Sequence, residues 1–290
     1  MARVDWRRPP LLDLEEGKVR YKMIISYDGR AFNGWQTQKN GMGVQQVIEK
    51  ALKKMLNEEV KVIGSGRTDS GVHAMGQVCH YDIIDRQIPA KAFLNVINCN
   101  LPPTVRVLDC EKVDGLFHSR YTAYARKYRY YLKRENEMTA TDNGFVAKIK
   151  RFPSIDLLNS YARHIVGTHD FSTFVASKDM SPSKCRDMYE SYWAFEKDKW
   201  GYDVLTYTIC GNAFLYKMVR SIVGTQLDFA MKNKTSEEFK AALESKNRKM
   251  AERTANPNGL FLLNVSYDEN EYKWFEDTAI PLTKIEEDNE

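Results

Sequence analysis

The sequence predicts an α+β protein. Two ferredoxin-like (RRM-like) halves, each of order βαββαβ, join into one extended, mostly antiparallel central sheet flanked by helices. Three observations predict this class. Apolar residues recur at helical spacing in several long segments, β-rich runs lie between these segments, and both halves of the 290-residue chain repeat the same order. A hydrophobic content of 43% is sufficient for a sizeable core.

The first half begins with a predicted strand and an amphipathic helix. Val44, Val47, Ile48, Ala51, Leu52 and Met55 recur at the spacing of one helix face. Pro89 is typical of the start of a second helix. The predicted strands are 21–27, 60–63, 77–84 and 105–113, and the predicted helices are 44–55 and 89–99.

The second half repeats this order with additional helices. Ser154 can cap a helix that continues to about 166. The predicted strands are 124–132, 187–195, 202–210 and 259–267, with a long helix at about 212–231 and shorter ones within 236–253. Only the order of elements repeats, and the residues themselves do not.

Four regions follow from this order. We expect an N-terminal arm at 1–20, a first α/β domain at 21–115, a second at 116–270 and an acidic tail at 271–290. The chain crosses from one half to the other near 116–121.

The composition argues against disulfide-rich, zinc-binding, membrane-spanning and secreted classes of protein. A net charge of +4 permits a nucleic-acid partner without requiring one. The five cysteines are odd in number and have no CxxC spacing, which argues against a disulfide framework and a zinc site. No apolar run is long enough to span a membrane, and the first ten residues do not resemble a signal peptide. We therefore expect a cytoplasmic protein.

The segment 64–74 carries a single acid, Asp69, between glycines. A glycine-framed loop after a strand can present a catalytic carboxylate, because glycine permits sharp turns and the close approach of a ligand. The alternative is a surface turn in which the Asp69 side chain bonds its own backbone, and the local pattern favours this turn.

The aromatic residues of the loop 30–43 also have two interpretations. Trp35 either contacts nucleic acid or folds back onto the core.

Two further segments combine polar chemistry with regular structure. On the predicted strand at 124–132, Arg126 and Tyr128 share one face, while Lys127 and Arg129 form a basic strip on the other. Tyr128 can stack on a base, although a tyrosine-rich strand packed under a helix is more common. Arg220 lies on the flank of a helix, where it either reaches into a cleft or snorkels to solvent.

Motifs for metals and phosphate cofactors are missing from the sequence. Asp69 and His73 have the spacing of a ligand pair but lack a third ligand. There is no Walker motif, no dinucleotide-binding glycine motif and no nucleophile elbow. These absences imply neither a metal nor a cofactor.

Several separated motifs together resemble one family. They are Tyr27-Asp28-Gly29 with Gly34-Trp35-Gln36, the loop 66–74, the strand motif 125–130, the segment 212–220, and Gly259-Leu260. In this order they resemble the TruA-type tRNA pseudouridine synthases over about 21–267. The resemblance implies a pseudouridine synthase fold, no metal or organic cofactor, and a homodimer in which tRNA spans both subunits. Target uridines would lie in the anticodon stem-loop, at tRNA positions 38–40.

The resemblance also assigns roles to individual positions. Asp69 matches the catalytic aspartate and Arg220 the basic residue that pairs with it. Tyr128 matches the tyrosine that contacts the target base, and Arg67 matches an arginine that helps to hold or extrude the uridine. We also expect substrate contacts from Arg126, Lys127 and Arg129.

The reaction cuts the N1–C1′ bond of uridine, turns the base and joins C5 to C1′. Asp69 would act ionised, either as a nucleophile towards ribose or base, or as the base that removes a ribose proton.

Two other functional classes are alternatives to this enzyme. One is a catalytically silent RNA-binding protein built from paired RRM-like sheets, and the other is a metal-dependent nuclease.

Overall fold

A computed structural model describes residues 14–37, 41–86, 88–198 and 200–268. Within these residues ten strands form one sheet with five α-helices, which confirms the predicted α+β class. Most of the predicted N-terminal arm and the whole of the acidic tail 271–290 lie outside the described residues.

The first half contains four strands and two helices. The strands are β1 (Lys18–Tyr27), β2 (Ile63–Gly64), β3 (His73–Ile84) and β4 (Val105–Val113), and the helices are α1 (Val44–Leu56) and α2 (Ala90–Asn100). The predicted apolar face of α1 is buried apart from Met55, which is partly buried and packs against the core. The helix ends at Asn57, which adopts the left-handed conformation with φ of 56°.

The second half contains six strands and three helices among the described residues. The strands are β5 (Ala125–Arg134), β6 (Ala147–Ile149), β7 (Gly167–Asp170), β8 (Cys185–Lys197), β9 (Asp203–Gly211) and β10 (Leu260–Ser266). The helices are α3 (Ile155–Arg163), α4 (Met218–Met231) and α5 (Ser236–Glu244). Ser154 caps α3 as predicted, accepting a hydrogen bond from the amide of Leu157.

The sheet runs in the order β4-β1-β3-β10-β5-β9-β8-β7, with β2 paired to β3 and β6 to β5. In the first half the order is β4-β1-β3-β2, and in the second it is β10-β5-β9-β8. When the strands of each half are counted along the chain without β6 and β7, both orders read fourth, first, third, second, which is the ferredoxin-like order. All pairs are antiparallel except β10 with β3 and β6 with β5. The predicted mostly antiparallel sheet is confirmed.

A short parallel seam joins the two halves. β10 pairs with the beginning of β3 at Phe261 with His73 and Leu262 with Ala74. The His73 ring stacks on Phe261 at 4.6 Å between ring centres, and its Nε2 lies 2.9 Å from the carbonyl oxygen of Gly144. One hydrophobic cluster continues across the seam, so the halves share a core.

The predicted strand at 60–63 is wrong for most of its length. Only Ile63 and the following glycine enter β2, although Val60 and Val62 are buried. Side chains of α1 bond the backbone there instead of a neighbouring strand. Glu49 accepts from the amide of Val62, and Gln45 donates to its carbonyl. The alternating apolar pattern at 60–63 therefore indicated that these residues are buried, but not that they pair with a neighbouring strand.

The predicted start of the long helix at 212 is also wrong. α4 begins at Met218, because Lys217 adopts the left-handed conformation with φ of 61° and interrupts any helix before it. β1 begins at Lys18, three residues earlier than predicted. The short strands β6 and β7 were missed, since three or four residues carry too little alternation to detect.

The chain crosses from β4 to β5 through residues 114–124, a stretch that contains the predicted crossing. The domain limits 21–115 and 116–270 stay a prediction. Among the described residues, no helix has both the length and the apolarity needed to cross a bilayer.

The seam predicts a strong effect of one added methyl group. A Cβ at Gly76 of β3 would lie 2.5 Å from the carbonyl oxygen of Leu263 in β10. Gly76→Ala should lower the free energy of unfolding by about 1–3 kcal/mol, because the two strands must separate. Urea unfolding measures this. Gly66→Ala is the control, since its Cβ would meet nothing within 4 Å, and an equal loss in both variants would contradict the expectation.

Candidate active site

The loop that carries Asp69 is anchored where it leaves β2. The amide of Ser65 donates to the carbonyl oxygen of Val78 at 2.8 Å, and Gln77 Nε2 donates to that of Gly66 at 2.9 Å. The turn itself is closed by backbone, with the amide of Val72 donating to the carbonyl oxygen of Asp69 at 3.1 Å. The Asp69 carboxylate is therefore not needed to close the turn in which it lies.

A second loop packs under the first at Thr68. The amide of Trp35 donates to the carbonyl oxygen of Thr68 at 3.1 Å, and Tyr27 shares a 2.8 Å hydrogen bond with its hydroxyl. A Cβ at Gly34 would lie 2.5 Å from the same carbonyl oxygen, so only glycine allows this approach. Trp35 is 3% exposed. It folds back onto the core, and the nucleic-acid interpretation of this side chain is wrong.

Asp69 and Arg220 form an ion pair between the two halves. Arg220 Nη1 donates to Asp69 Oδ2 at 2.8 Å, and the side chains are only 12% and 17% exposed, respectively. Arg220 Nε donates to the carbonyl oxygen of Ala255 at 2.8 Å, which aims the guanidinium at the loop. Arg220 lies in the first turn of α4, and its side chain is largely buried against the Asp69 loop, which argues against the interpretation that it snorkels to solvent.

Tyr128 lies on β5 at the edge of the same space. It is 7% exposed and packs edge-on against Phe214, with 5.0 Å between ring centres. Burial raises the pKa of the Tyr128 phenol, the Arg126 guanidinium opposes this, and the Asp69 carboxylate adds to it. The phenol therefore stays protonated at neutral pH. Within the described residues its hydroxyl makes no hydrogen bond, so it remains available to a ligand.

The other predicted contacts divide into exposed and paired side chains. Arg67 is exposed and makes no ion pair within the described parts of the chain. Lys127 lies 2.9 Å from Glu190, and Arg129 lies 2.9 Å from Glu196, on the neighbouring part of the sheet. The predicted basic strip is thus balanced by carboxylates, which weakens its attraction for phosphates.

Arg126 binds four backbone carbonyls. Its Nη1 donates to Ala123 and Asn212 at 3.0 and 2.7 Å, and its Nη2 donates to Ser65 and Arg120 at 3.0 and 2.7 Å. The side chain is 6% exposed. Because these bonds engage both terminal nitrogens, this position favours a structural role over the predicted substrate contact. Arg126 ties the base of the Asp69 loop to the crossing segment and to the end of β9.

Ser119 provides a second anchor that the sequence did not indicate. Its hydroxyl donates to the carbonyl oxygen of Ile63 at 2.7 Å, and its amide donates to His80 Nδ1 at 3.1 Å. Burial is the largest of the effects that lower the pKa of His80, to about 3. The imidazole is therefore neutral, with Nδ1 as the acceptor. Ser119 has no local motif, and only the fold brings it to β2.

The structure brings together Asp69, Arg220 and Tyr128 from three distant segments. Arg67 lies on the same loop as Asp69, whereas Arg126, Lys127 and Arg129 are engaged elsewhere. Tyr27 and Phe214 complete the surroundings. Both fall within the sequence motifs, but no role was assigned to them. Such a site combines a carboxylate, a fixed cation and a neutral phenol, which suits nucleophilic or proton-transfer chemistry on a polar substrate. Among the described residues no His, Cys, Asp and Glu side chains group into a metal-binding cluster.

A family profile matches most of the chain. The profile is described as tRNA pseudouridine synthase, and it matches residues 23–122 and 161–268. These ranges include Asp69 in the first segment and Arg220 in the second, whereas Tyr128 lies between them.

Curated relatives agree with the profile. The chain is 39% identical over 252 residues to tRNA pseudouridine synthase A from Bacillus subtilis strain 168, covering 86% of this chain and 100% of the relative. It is 39% identical over 264 residues to the protein of the same name from Treponema denticola, covering 89% and 97%. A Ligilactobacillus salivarius protein of that name is 39% identical over 256 residues, covering 88% and 98%.

The four carbonyls bound by Arg126 predict a stability effect. Arg126→Lys should lower the free energy of unfolding by about 1–3 kcal/mol, because one ammonium cannot satisfy four buried acceptors. Arg129→Lys is the matched control on the opposite face of the same strand. It should cost less than about 1 kcal/mol, since the partly exposed pair with Glu196 can re-form. Urea unfolding of both variants tests this, and equal losses would contradict it.

Buried His80 predicts that stability depends on pH. Its folded pKa of about 3 lies below the ordinary histidine value of 6.5, so the unfolded chain binds the extra proton between these values. Stability should therefore fall as pH decreases below about 6.5, by up to ~1.4 kcal/mol per pH unit from this group. His80→Asn should reduce that slope.

Ser119→Ala is the control for this pH effect. It removes the hydroxyl while leaving His80 buried, so stability should decrease by a similar amount at every pH. Chemical unfolding between pH 4 and 7 measures both variants. An unchanged slope in His80→Asn would show that other groups dominate.

Proposed function

The chain belongs to the TruA-type tRNA pseudouridine synthase family, and from that premise we propose that it isomerises uridine to pseudouridine in the anticodon stem-loop of tRNA, with Asp69 as the catalytic carboxylate. The geometry that carries this proposal is the Asp69–Arg220 ion pair beside Tyr128. These residues are far apart in the chain, since Asp69 and Arg220 are separated by 151 positions in the sequence.

The ion pair supports the proposal because it engages only one of the two oxygens of the Asp69 carboxylate. Arg220 binds Oδ2, and no described side chain bonds Oδ1. One oxygen is thus held by a fixed cation while the other can react. The guanidinium also fixes the position of the carboxylate, at 2.8 Å between Nη1 and Oδ2.

The reaction balances without any further reactant. The N1–C1′ bond breaks, the base turns, and a C5–C1′ bond forms. The proton on C5 is lost and N1 gains one, so product and substrate are isomers. Asp69 acts on ribose or base as a nucleophile, or removes a ribose proton as a base, and in each route the reacting group is its free oxygen. We propose that the reaction uses no cofactor.

Tyr128 supports the handling of the uracil ring. Its buried phenol is protonated and has no competing partner among the described residues, so it can stack against the base and exchange a proton during rearrangement. The target nucleotide must leave its stack to reach this site, which costs a few kcal/mol. Arg67, exposed on the same loop, is proposed to hold the extruded nucleotide.

We further propose that the enzyme acts as a homodimer in the cytoplasm, with tRNA contacting both subunits. The resemblance of the motifs to the family supports the dimer. The proposed tRNA substrate supports the cytoplasmic assignment.

Asp69→Asn should abolish activity while preserving the fold. The amide cannot act as a nucleophile or a base, so release of tritium from 5-tritiated uridine in tRNA should fall by roughly 10²–10⁴-fold or more. Tritium is released only when C5 is substituted. Binding of tRNA, measured by filter retention, should stay within about threefold of wild type.

Asp82→Asn is the matched control. Asp82 also pairs with an arginine, Arg20 at 2.7 Å, but lies away from the loop, and its loss should affect stability rather than tritium release. Full activity in Asp69→Asn would overturn the proposal. Tight tRNA binding without tritium release by wild type would instead favour the silent RNA-binding protein, and cleavage of RNA that EDTA stops would favour the nuclease.

A further inference from the structure

Tyr216 is an exposed aromatic side chain beside the candidate active site. It is 40% exposed. It lies in the segment between Phe214, which packs on Tyr128, and Arg220, which binds Asp69. Two residues span at most about 7 Å, so the Cα of Tyr216 lies close to that of Phe214. The side chain of Tyr216 therefore starts from a backbone position next to the site, and its ring presents a surface to solvent.

The backbone of Tyr216 is fixed although its ring is exposed. Its amide donates to Asp179 Oδ2 at 2.8 Å, and its carbonyl accepts from the amide of Ala176 at 3.2 Å. Asp179 is itself held by Lys184 and by the amide of Ser181. An exposed aromatic ring on a fixed backbone loses little freedom when it binds a flat ligand.

Lys217 adds a cation beside this ring. Its Nζ lies 5.2 Å from the centre of the Tyr216 ring, and it makes no ion pair within the described residues. Its backbone is left-handed, with φ of 61°, a conformation that lysine rarely adopts. Strained backbone next to an active site is more often retained for function than in ordinary loops.

We propose that Tyr216 and Lys217 form a subsite for the nucleotide next to the extruded uridine, in which Tyr216 stacks on the base and Lys217 binds its phosphate. This inference rests on the proposed function. When the uridine leaves its stack, the neighbouring base loses one stacking partner, and an exposed aromatic ring can replace it. A cation about 5 Å from that ring is within reach of the phosphate of the stacked nucleotide.

Binding of a fluorescent RNA tests the stacking. An anticodon stem-loop RNA carries 2-aminopurine beside the uridine from which wild type releases tritium, and binding is measured in an Asp69→Asn background to prevent turnover. Stacking on Tyr216 should quench the fluorescence. Tyr216→Phe should retain quenching, whereas Tyr216→Ala should lose it and raise Kd on the order of tenfold. Tyr192→Ala, at a tyrosine that is also 40% exposed, should behave like the parent.

Salt dependence tests the phosphate contact. Lys217→Asn removes the cation, and asparagine tolerates the left-handed backbone. The slope of log Kd against log salt concentration should become smaller by about 0.7, the value for one phosphate contact on a single strand. Lys246→Asn is the matched control, because Lys246 is also left-handed, with φ of 52°. Its slope should equal that of the parent.

Two results would overturn the subsite. Unchanged quenching and Kd in Tyr216→Ala would remove the stacking role, and an unchanged slope in Lys217→Asn would remove the phosphate contact. Absence of tritium release by wild type would instead overturn the proposed function. The two failures are therefore distinguishable. Urea unfolding of Tyr216→Ala should match that of the parent protein, because the side chain is exposed, and this separates a binding role from a general loss of structure.

Discussion

The ion pair between Asp69 and Arg220 is the interaction on which the functional architecture depends. Its two members come from different halves of the chain, so it forms only when both halves share one sheet. The seam between β3 and β10 supplies that condition, although its register includes only two residue pairs. A few close contacts there, including the stacked His73 and Phe261, position a carboxylate against its guanidinium. The active site is thus a consequence of how the halves join.

Buried polar groups keep the Asp69 loop in place. Arg126 donates to the carbonyl oxygen of Ser65 and Ser119 to that of Ile63, both at the base of the loop, while Gln77 donates to that of Gly66. Each bond replaces a contact with water that a buried carbonyl has lost, so leaving one unmade would be costly. The loop is therefore stiff at its base, although it carries an exposed residue, Arg67, and the acid that is proposed to react. Such preorganisation suits a carboxylate that must approach a sugar and a base closely.

Much of the fold could be predicted because its signals are local. The apolar stripe of α1 and the alternation of β4 follow from residues a few positions apart, and both elements match the prediction within two residues. The interpretation failed where distant side chains decided the outcome. At 60–63, Gln45 and Glu49 bond the backbone that a strand would have used. At 212–217, a left-handed Lys217 delays the helix. Neither effect changes the spacing of apolar residues in the segment itself, so the sequence pattern could not indicate it.

For the site, the sequence alone determined which residues to examine. Asp69, Tyr128 and Arg220 each belong to a short contiguous sequence motif, and the residue type alone indicates what chemistry each side chain can perform. Only the tertiary structure decided which charges are available. Lys127 and Arg129 resemble a phosphate-binding strip until β8 places Glu190 and Glu196 beside them, and Arg126 resembles a substrate contact until four carbonyls from three segments surround it. The reason is physical. A side chain's type is local, but whether its charge is already satisfied depends on partners that only folding brings within about 3 Å.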